Sequence, residues 1–310
     1  MKYKVLVTFS GLFFIASQGW SQPHIWSDTI DSGHILSHMY LNIEIPQGDV
    51  VMKSSEICGS SISRLTTPNE QVKHQIKTQT DQHGNHLRTV VLSFPEPAKQ
   101  EMQAKPAPNL RMAEQMTDIS LFGELKEITS EYFPDPSMST DLYLNLGSGE
   151  SSLDLSGLSL KNVSINSAFS DVLVSYTEAN QVRMKEMDIH AAKANIKVDH
   201  AELANAELIT IQNDMGELEL ILGDKQTVQS TIYLQLGVGS CSLLLSNSQP
   251  VRLVVKSGLI SSVNIEEETF EEKEKGVYTN RAYEALADKK KATKIICNID
   301  MGSVTVVGKK

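Results

Sequence analysis

Two histidine pairs are the first residues of this chain that could bind a metal ion. His34 and His38 are four residues apart, and His83 and His86 are three apart. Either spacing presents two ring nitrogens to one metal when the backbone is helical. Both pairs lie among turn-forming residues, with Asp-Ser-Gly before the first and Asn inside the second. The sequence therefore predicts solvated histidines and no metal site.

Carboxylate pairs could cleave a glycosidic bond, which requires two acids about 5 to 10 Å apart in a cleft. A stack of strands could place Glu217 near Glu219, or Asp171 near Asp199, but acidic residues are common here, with 38 in the chain. The Gly-x-Ser-x-Gly elbow of a serine hydrolase does not occur in the sequence. The sequence thus gives no support for catalysis, and we predict that the protein is not an enzyme.

Two Gly-x-Gly motifs, Gly147 to Gly149 and Gly237 to Gly239, resemble part of a phosphate-binding loop. A dinucleotide site needs Gly-x-Gly-x-x-Gly opening a helix, whereas strand-like sequence follows both motifs. These glycines, with Gly216 and Gly302, fall between alternating apolar segments, where a sharp turn favours positive φ. We therefore expect turns and no bound cofactor.

The N-terminus has the layout of a secretory signal peptide. Lys2 and Lys4 precede an apolar run of about 12 residues, shorter than the roughly 20 of a membrane-spanning helix. Small residues Gly19 and Ser21 then suit cleavage before Gln22. The sequence predicts a signal peptide over 1–21, a mature chain without an integral membrane segment, and a periplasmic, extracellular or cell-surface location.

Charge and cysteine content narrow the possible partners. Removing Lys2 and Lys4 leaves 26 basic against 38 acidic residues, which disfavours nucleic acid and anionic membranes as partners. Cys58, Cys241 and Cys297 are too few for a disulfide framework. The alternation described next places Cys297 inward. One bridge among the three stays open, with the pair unassigned.

An internal near-copy is the strongest pattern in the sequence. The segment Tyr143-Leu-Asn-Leu-Gly-Ser-Gly-Glu-Ser-Ser-Leu-Asp-Leu155 returns as Tyr233-Leu-Gln-Leu-Gly-Val-Gly-Ser-Cys-Ser-Leu-Leu-Leu245. Around both copies recurs a unit of one alternating apolar strand, a turn and a second alternating strand, which we call the first and second strokes of a rung. The first strokes contain Leu142/Leu144/Leu146, Val163/Ile165, Met187/Ile189, Ile209/Ile211, Ile232/Leu234/Leu236, Val251/Leu253/Val255 and Ile295/Cys297/Ile299. The second strokes contain Leu153/Leu155, Val172/Val174, Ile196/Val198, Leu218/Leu220, Leu243/Leu245, Val263/Ile265 and Val304/Val306.

Period-two alternation buries one face of each stroke, and most rungs begin 19 to 25 residues apart, as in one coil of a solenoid. The predicted fold class is all-β: a β-solenoid-like stack of about seven two-strand rungs, preceded by a smaller β-rich N-terminal region. We predict an N-terminal region over 22–95, a linker or loop over 96–135, and a repeat domain over 136–310 with a charged insertion at 266–293. The N-terminal region is either a separate small domain or an earlier part of the same coil.

Equivalent positions of stacked rungs form columns, so a binding site on the side of the coil should recur from rung to rung. The outward residues taken from the second strokes form a mixed column of Asp154, Leu173, Lys197, Glu219, Leu244, Asn264 and Thr305. This mixture predicts no ligand column and no calcium ladder. Tyr143 and Tyr233, outward at equivalent rung positions, are the predicted surface-contact residues, although β-propensity alone also explains tyrosines there.

The segments Leu144-Asn-Leu-Gly-Ser-Gly, Leu153 to Ile165 and Tyr283 to Val306 resemble the bacterial toast-rack and putative-adhesin β-repeat domains. These include the extracytoplasmic β domains of cell-wall-active-antibiotic response proteins. The resemblance covers about Asp141 to Val307 and implies a stacked β fold in the cell envelope, without catalytic residues. This chain lacks the lipid-attachment Cys and the transmembrane segment that would tether it.

Three functions follow from these observations. The first is a non-enzymatic, exported cell-envelope protein, adhesin-like or scaffolding, that binds a protein or glycan of the envelope. The second, implied by the resemblance alone, is an accessory protein in envelope-stress sensing. The third is a polysaccharide-active enzyme, since long β coils can line a groove for extended substrates.

Overall fold

The structure is a computed structural model and describes residues 24–31, 38–56, 60–67, 73–80, 86–93, 129–225 and 229–309. These residues are almost entirely β-strand, so the all-β prediction is confirmed. The strands are β1 (His24–Asp31), β2 (Met39–Gln47), β3 (Asp49–Met52), β4 (Ser60–Thr67), β5 (Lys73–Thr80), β6 (His86–Ser93), β7 (Thr129–Phe133), β8 (Ser139–Asp154), β9 (Ser159–Ser175), β10 (Met184–Lys193), β11 (Ile196–Asp199), β12 (Ala206–Leu222), β13 (Thr231–Ser246), β14 (Val251–Ile265), β15 (Phe270–Glu274), β16 (Val277–Asn280) and β17 (Thr293–Lys309). One helical turn, α1 (Arg281–Ala285), and the 3-10 turns Ala201–Ala204 and Lys289–Lys291 complete the described elements.

The rungs form a parallel stack in register. Leu142 of β8 lies between Leu41 of β2 and Val163 of β9, and the same register continues through β10, β12 and β13. The predicted inward residues of these rungs are buried and join one hydrophobic core that runs the length of the stack. Since each rung covers its neighbours, the apolar alternation is satisfied only by stacking.

Most rungs turn a corner inside a continuous strand, and in the rungs β2–β3 and β10–β11 a break of one or two residues marks the corner. Gly149, Gly216, Gly239 and Gly302 stand at these corners with φ between 131° and 146°. A Cβ on Gly239 would overlap the carbonyl oxygen of Gly216, and one on Gly302 would overlap that of Gly239. The predicted role of these glycines is confirmed, and close stacking of backbones adds a second reason for glycine.

The stacking order departs from chain order at the C-terminus. Strand β17 lies between β13 and β14, pairing in parallel with both, so that β14 is the last rung. The insertion before β17 forms the antiparallel hairpin β15–β16 as well as the short helix, and β16 pairs with Arg252–Val254 of β14. The hairpin and the helix thus connect the end of β14 to the start of β17, which lies beside β13.

The segment Met39–Met52 is a rung of the same stack. Strand β2 pairs in parallel with the first stroke of β8, and β3 with its second stroke. Antiparallel strands then follow outward, with β5 on β6 and β4 on β7. Strand β7 falls inside the range predicted as a linker, and the predicted domain boundaries stay a prediction.

The second stroke of β14 differs from the prediction. Val263 was expected to point into the core, but its side chain is 38% exposed, and Ile265 is only partly buried. The side chains lie in register with Val304 and Val306 of β17. They lack cover because, within the described residues, no further rung follows β14.

Candidate functional site

The outward side of the first strokes forms one broad surface, which we call the first-stroke face. It runs across β2, β8, β9, β10, β12, β13, β17 and β14, and its outward residues stand in columns because the strands are in register. Neighbouring strands of a sheet are about 4.8 Å apart, so each column is a row of closely spaced side chains.

One column of this face consists almost wholly of amide side chains. We call it the amide column, and its members are Asn145, Asn166, His190, Gln212, Gln235 and Asn298. Asn166 donates a hydrogen bond from Nδ2 to Oδ1 of Asn145, 3.2 Å away. Glu44 continues the column at one end and Lys256 at the other. Each amide offers both donors and acceptors to a ligand.

This column was not identified from the sequence, and the predicted absence of a ligand column stays a prediction. The predicted column was drawn from the second strokes only, and its alignment was also off by two residues in places. Leu173 pairs with Ser152 rather than Asp154, and Glu219 pairs with Ser242 rather than Leu244. The alternation in the sequence predicts whether a side chain points inward or outward. It does not predict which residue of the next rung that residue pairs with.

Tyr143 and Tyr233 occupy a single column beside the amide column. Their side chains are 39% and 41% exposed. Ser164, Asp188 and Thr210 lie between them on the intervening strands. Four strand spacings place the two tyrosines about 19 Å apart. They are aligned along the stack axis, not in contact with each other.

Acidic groups are concentrated near the Tyr143 end and centre of this face. Burial, and then the neighbouring Glu186, raise the pKa of Asp188 above its usual value, while His190 lowers it. Burial, followed by the charge of Asp141 and the nearby Tyr40, raises the pKa of Tyr143. The tyrosine thus stays a neutral hydroxyl over the physiological range, able to donate a hydrogen bond.

His38 anchors a buried polar cluster behind Tyr143. Its Nε2 lies 2.9 Å from Oδ2 of Asp141 and its Nδ1 lies 3.2 Å from Oγ of Ser139. Asn162 donates to the other carboxylate oxygen of Asp141 at 2.7 Å, and the ring of Tyr40 packs edge-on against His38. The prediction of a solvated histidine is wrong, because His38 is almost fully buried.

The hydrogen bonds of this cluster join neighbouring strands of the first-stroke face, which gives the cluster a structural role. The His38 ring joins the start of β2 to β8, and Asp141 joins β8 to Asn162 of β9. Asp141 stands two residues before Tyr143 on the same strand face, so these bonds fix the backbone that carries the tyrosine. His34 and His83 lie outside the described residues, as does the side chain of His86.

The opposite, second-stroke side holds a shallow groove of about 470 Å³. Its lining includes Glu150, Asp171, Lys197, Glu217 and Glu219. Glu219 forms an ion pair with Lys197, with the Nζ and Oε1 atoms 3.2 Å apart. The groove therefore brings Glu217, Glu219 and Asp171 to one side of the stack, as the sequence allowed.

Asp171 has a structural task at the corner of its rung. Its Oδ1 accepts the backbone N–H of Asn195 at 2.8 Å, and its Oδ2 accepts the Asn195 side chain at 3.2 Å. Asn195 in turn accepts the backbone N–H of Glu217 through Oδ1. Asp49 accepts the backbone N–H of Glu150 in the same way, two corners earlier in the stack. The fourth predicted acid, Asp199, lies on β11 beside His200, 3.9 Å from its Nε2.

The thiols of Cys241 and Cys297 meet across the core. Both are buried and free, with their Sγ atoms 3.8 Å apart. Contact with Cys297, and then burial, raise the pKa of the Cys241 thiol. The inward placement predicted for Cys297 is confirmed, and Cys58 lies outside the described residues.

In the part of the chain that the structure describes, no group of three or more His, Cys, Asp or Glu side chains is arranged to hold a metal ion. Among the helices of the same residues, none has the length and apolar character needed to cross a bilayer.

No protein-family model matches the chain, and no curated protein matches it. Among solved structures, it is similar to a putative cell adhesion protein from Clostridium sporogenes, with 11% identity and a TM-score of 0.44 over 93% of this chain and 100% of the other. It is also similar to a putative adhesin from Bacteroides fragilis, with 10% identity and a TM-score of 0.37 over 92% of this chain and 97% of the other.

Proposed function

We propose that this protein is a non-enzymatic, exported cell-envelope protein of adhesin type, and that it binds an extended glycan along its first-stroke face. The observation that carries the proposal is the single column in which Tyr143 and Tyr233 stand about 19 Å apart. The residues between them in their own column, Ser164, Asp188 and Thr210, are all polar, and the amide column runs alongside.

The chemistry of this face suits a sugar polymer. The C–H side of a pyranose ring packs on an aromatic ring, and its hydroxyl groups need donors and acceptors together, which amide side chains provide. Protein interfaces, by contrast, have cores depleted of charged residues, whereas Glu186 and Asp188 lie on this face between the two tyrosine-bearing strands. A face with two tyrosines among amides and hydroxyls therefore favours a glycan over a protein.

The charges of the face narrow the class of glycan. Glu186 and Asp188, both on β10, lie on the face between the strands of the two tyrosines. Like charges repel at these separations, so a polymer of uronic acids is disfavoured. Neutral and amino-sugar glycans are the expected ligands.

The geometry also favours binding without catalysis. Glycoside hydrolysis needs two carboxyl groups facing each other across a cleft, whereas the outward residues of this face stand in parallel rows on a sheet. A long row gives many weak contacts to a repeating ligand, and their combination yields avidity.

The test is a screen of the mature chain against soluble oligosaccharides that include N-acetylglucosamine oligomers, their de-N-acetylated forms and uronic-acid oligomers. Affinities for the ligands found are then measured by titration calorimetry. We expect binding to neutral or amino-sugar oligomers, and a loss of at least about tenfold in affinity for Tyr143→Ala combined with Tyr233→Ala.

Leu173→Ala is the matched control, because Leu173 is similarly exposed but lies on the second-stroke side. The control variant should bind as the wild type does. Unchanged affinity in the double tyrosine variant would refute the placement of the site. Release of new reducing ends from a bound oligosaccharide would refute the non-enzymatic assignment.

A further inference from the structure

Different elements cover the two ends of the stack. At the N-terminal end, β6 and then β5 cover the first-stroke sheet, while β7, β4 and then β1 cover the second. At the C-terminal end, the β15–β16 hairpin covers Arg252–Val254 of β14. Among the described residues, no strand pairs with the outer edge of β14 beyond Val255. Within the described residues, the edge of β14 from Lys256 to Ile265 therefore has no partner strand.

The composition of this open edge is unusual for an edge strand. Outermost strands are protected from pairing by charged side chains, and β5 and β15 follow this rule, with Lys73 and Lys77 in one and four charged residues in the other. The run Ser257–Ile265, by contrast, contains no charged residue. A long uncharged edge is a template for another strand.

An exposed apolar ridge leads to this edge. Leu259 is fully exposed and Ile260 is 70% exposed. Ile260 continues a corner column made by Met301, Val238 and Met215 of the three preceding strands, all of them exposed. Contiguous exposed apolar surface on a soluble protein marks an interaction site.

The charges beside the run make it complementary to itself. Lys256 precedes the run, and Glu267 and Glu268 follow it in an exposed turn. If two copies align antiparallel about Ser262, residues 259–265 of the two copies lie against each other. Lys256 of each copy then lies near the exposed turn of the other copy that holds Glu267 and Glu268. A parallel alignment would set like charges side by side.

We infer that Ser257–Ile265 is a dimer interface at which two copies of this chain pair their β14 strands in antiparallel fashion. Such an interface is isologous, so it closes at two subunits. The dimer leaves both first-stroke faces free and thus presents two copies of the proposed glycan surface.

Sedimentation equilibrium of the mature chain over a wide concentration range tests the inference. We expect a monomer–dimer equilibrium, and a dimer dissociation constant raised at least about tenfold by Ile260→Lys combined with Val263→Lys. Met215→Lys is the control, since Met215 belongs to the same ridge three strands away. It should dimerise as the wild type does.

Charge reversal gives a test that does not depend on apolar residues. Lys256→Glu should weaken the dimer by about two- to fivefold at low salt, and Glu268→Lys added to it should restore the wild-type constant. Thermal melts of each variant confirm folding. A chain that stays monomeric at every concentration, or a dimer indifferent to both sets of changes, would overturn the inference.

Discussion

An inner rung and the terminal rung of this stack share one sequence pattern but differ in environment. Val304 of β17 and Val263 of β14 are register partners with the same inward parity. Val304 is fully buried, whereas Val263 is 38% exposed. The alternating sequence makes both residues available for a core, and only the presence of a next rung buries them.

The corners of these rungs differ in the same way. Gly302 and Gly239 stand where a Cβ would overlap the backbone of the preceding rung. Their partner in β14 is Ser261, reached after a bulge between Ser257 and Ile260. A bulge bends the strand and changes its local twist, and the terminal corner has serine where the inner corners have a glycine of positive φ. The close-stacking constraint remains at Gly258 in the bulge, where a Cβ would overlap the carbonyl oxygen of Asp300.

The largest expected effect comes from an inner corner. Gly239→Ala should destabilise the fold by about 3 kcal/mol or more, because the methyl group meets the Gly216 carbonyl and φ is strongly positive. Ser261→Ala at the terminal corner should cost less than about 0.5 kcal/mol. Urea unfolding of both variants measures the difference in the free energy of unfolding. Equal destabilisation by the two substitutions would contradict the proposed difference between inner and terminal corners.

The paired valines test burial directly. Val304→Ala should lower the free energy of unfolding by about 2 kcal/mol, since it leaves a cavity in the core. Val263→Ala should lower it by about 0.5 kcal/mol, because water already reaches that side chain. Denaturation of the two variants at a concentration where each is monomeric provides the measurement. Greater destabilisation by Val263→Ala than by Val304→Ala would contradict the exposed position of Val263.

The corner hydrogen bonds are expected to contribute less. Asp171→Ala removes the acceptor of the Asn195 backbone and side-chain N–H groups, and should cost about 1 kcal/mol. Asp171→Asn, which keeps one oxygen, should recover part of that loss. Ser262→Ala on β14 is the exposed control. Amide hydrogen exchange at Asn195 should speed up in the alanine variant, and unchanged exchange would contradict the assigned role.

The smallest effect concerns an outward position of an inner rung, where burial between neighbouring strands raises the pKa of Asp188. A raised pKa in the folded state means that this carboxyl is easier to ionise in the unfolded chain. Its contribution to stability therefore falls as pH rises from the ordinary carboxyl pKa through the folded value. Asp188→Asn should stabilise the protein by no more than about 0.5 kcal/mol near neutral pH.

The gain for Asp188→Asn should vanish in acid, where the wild-type carboxyl is protonated in both states. Melting temperatures across the acidic to neutral range measure it. Glu186→Gln removes the neighbouring charge that raises the same pKa and should give part of the gain. A gain that is equal at all pH values would instead point to packing.

Much of the fold could be predicted because its rules are local. Alternation assigned the inward residues of the inner rungs, and glycine positions marked the corners. The position of β17 between β13 and β14 could not be predicted in this way. The alternation of apolar residues in a strand does not specify which rung the strand will pair with. The exposure of Val263 follows from that same missing information, because it depends on where the stack ends.

Only part of the candidate site could be predicted from the sequence, for a related reason. Tyr143 and Tyr233 emerged from the near-copy, whereas the amide column depends on the register of six strands. Short alternating strands leave register ambiguous by two residues, as Leu173 and Ser152 show. His38 was misjudged because the turn-like residues before it concealed its partner Asp141, 103 residues away in the chain.

The most direct test of the account is the dependence of affinity on glycan length. Oligosaccharides of increasing length, from the class that binds, are titrated into the wild type and into the Tyr143→Ala, Tyr233→Ala double variant. The account predicts that wild-type affinity rises until the ligand spans the roughly 19 Å between the tyrosines and then levels off, with no such rise in the variant. Length-independent binding by the wild type, or the same rise in both proteins, would contradict it.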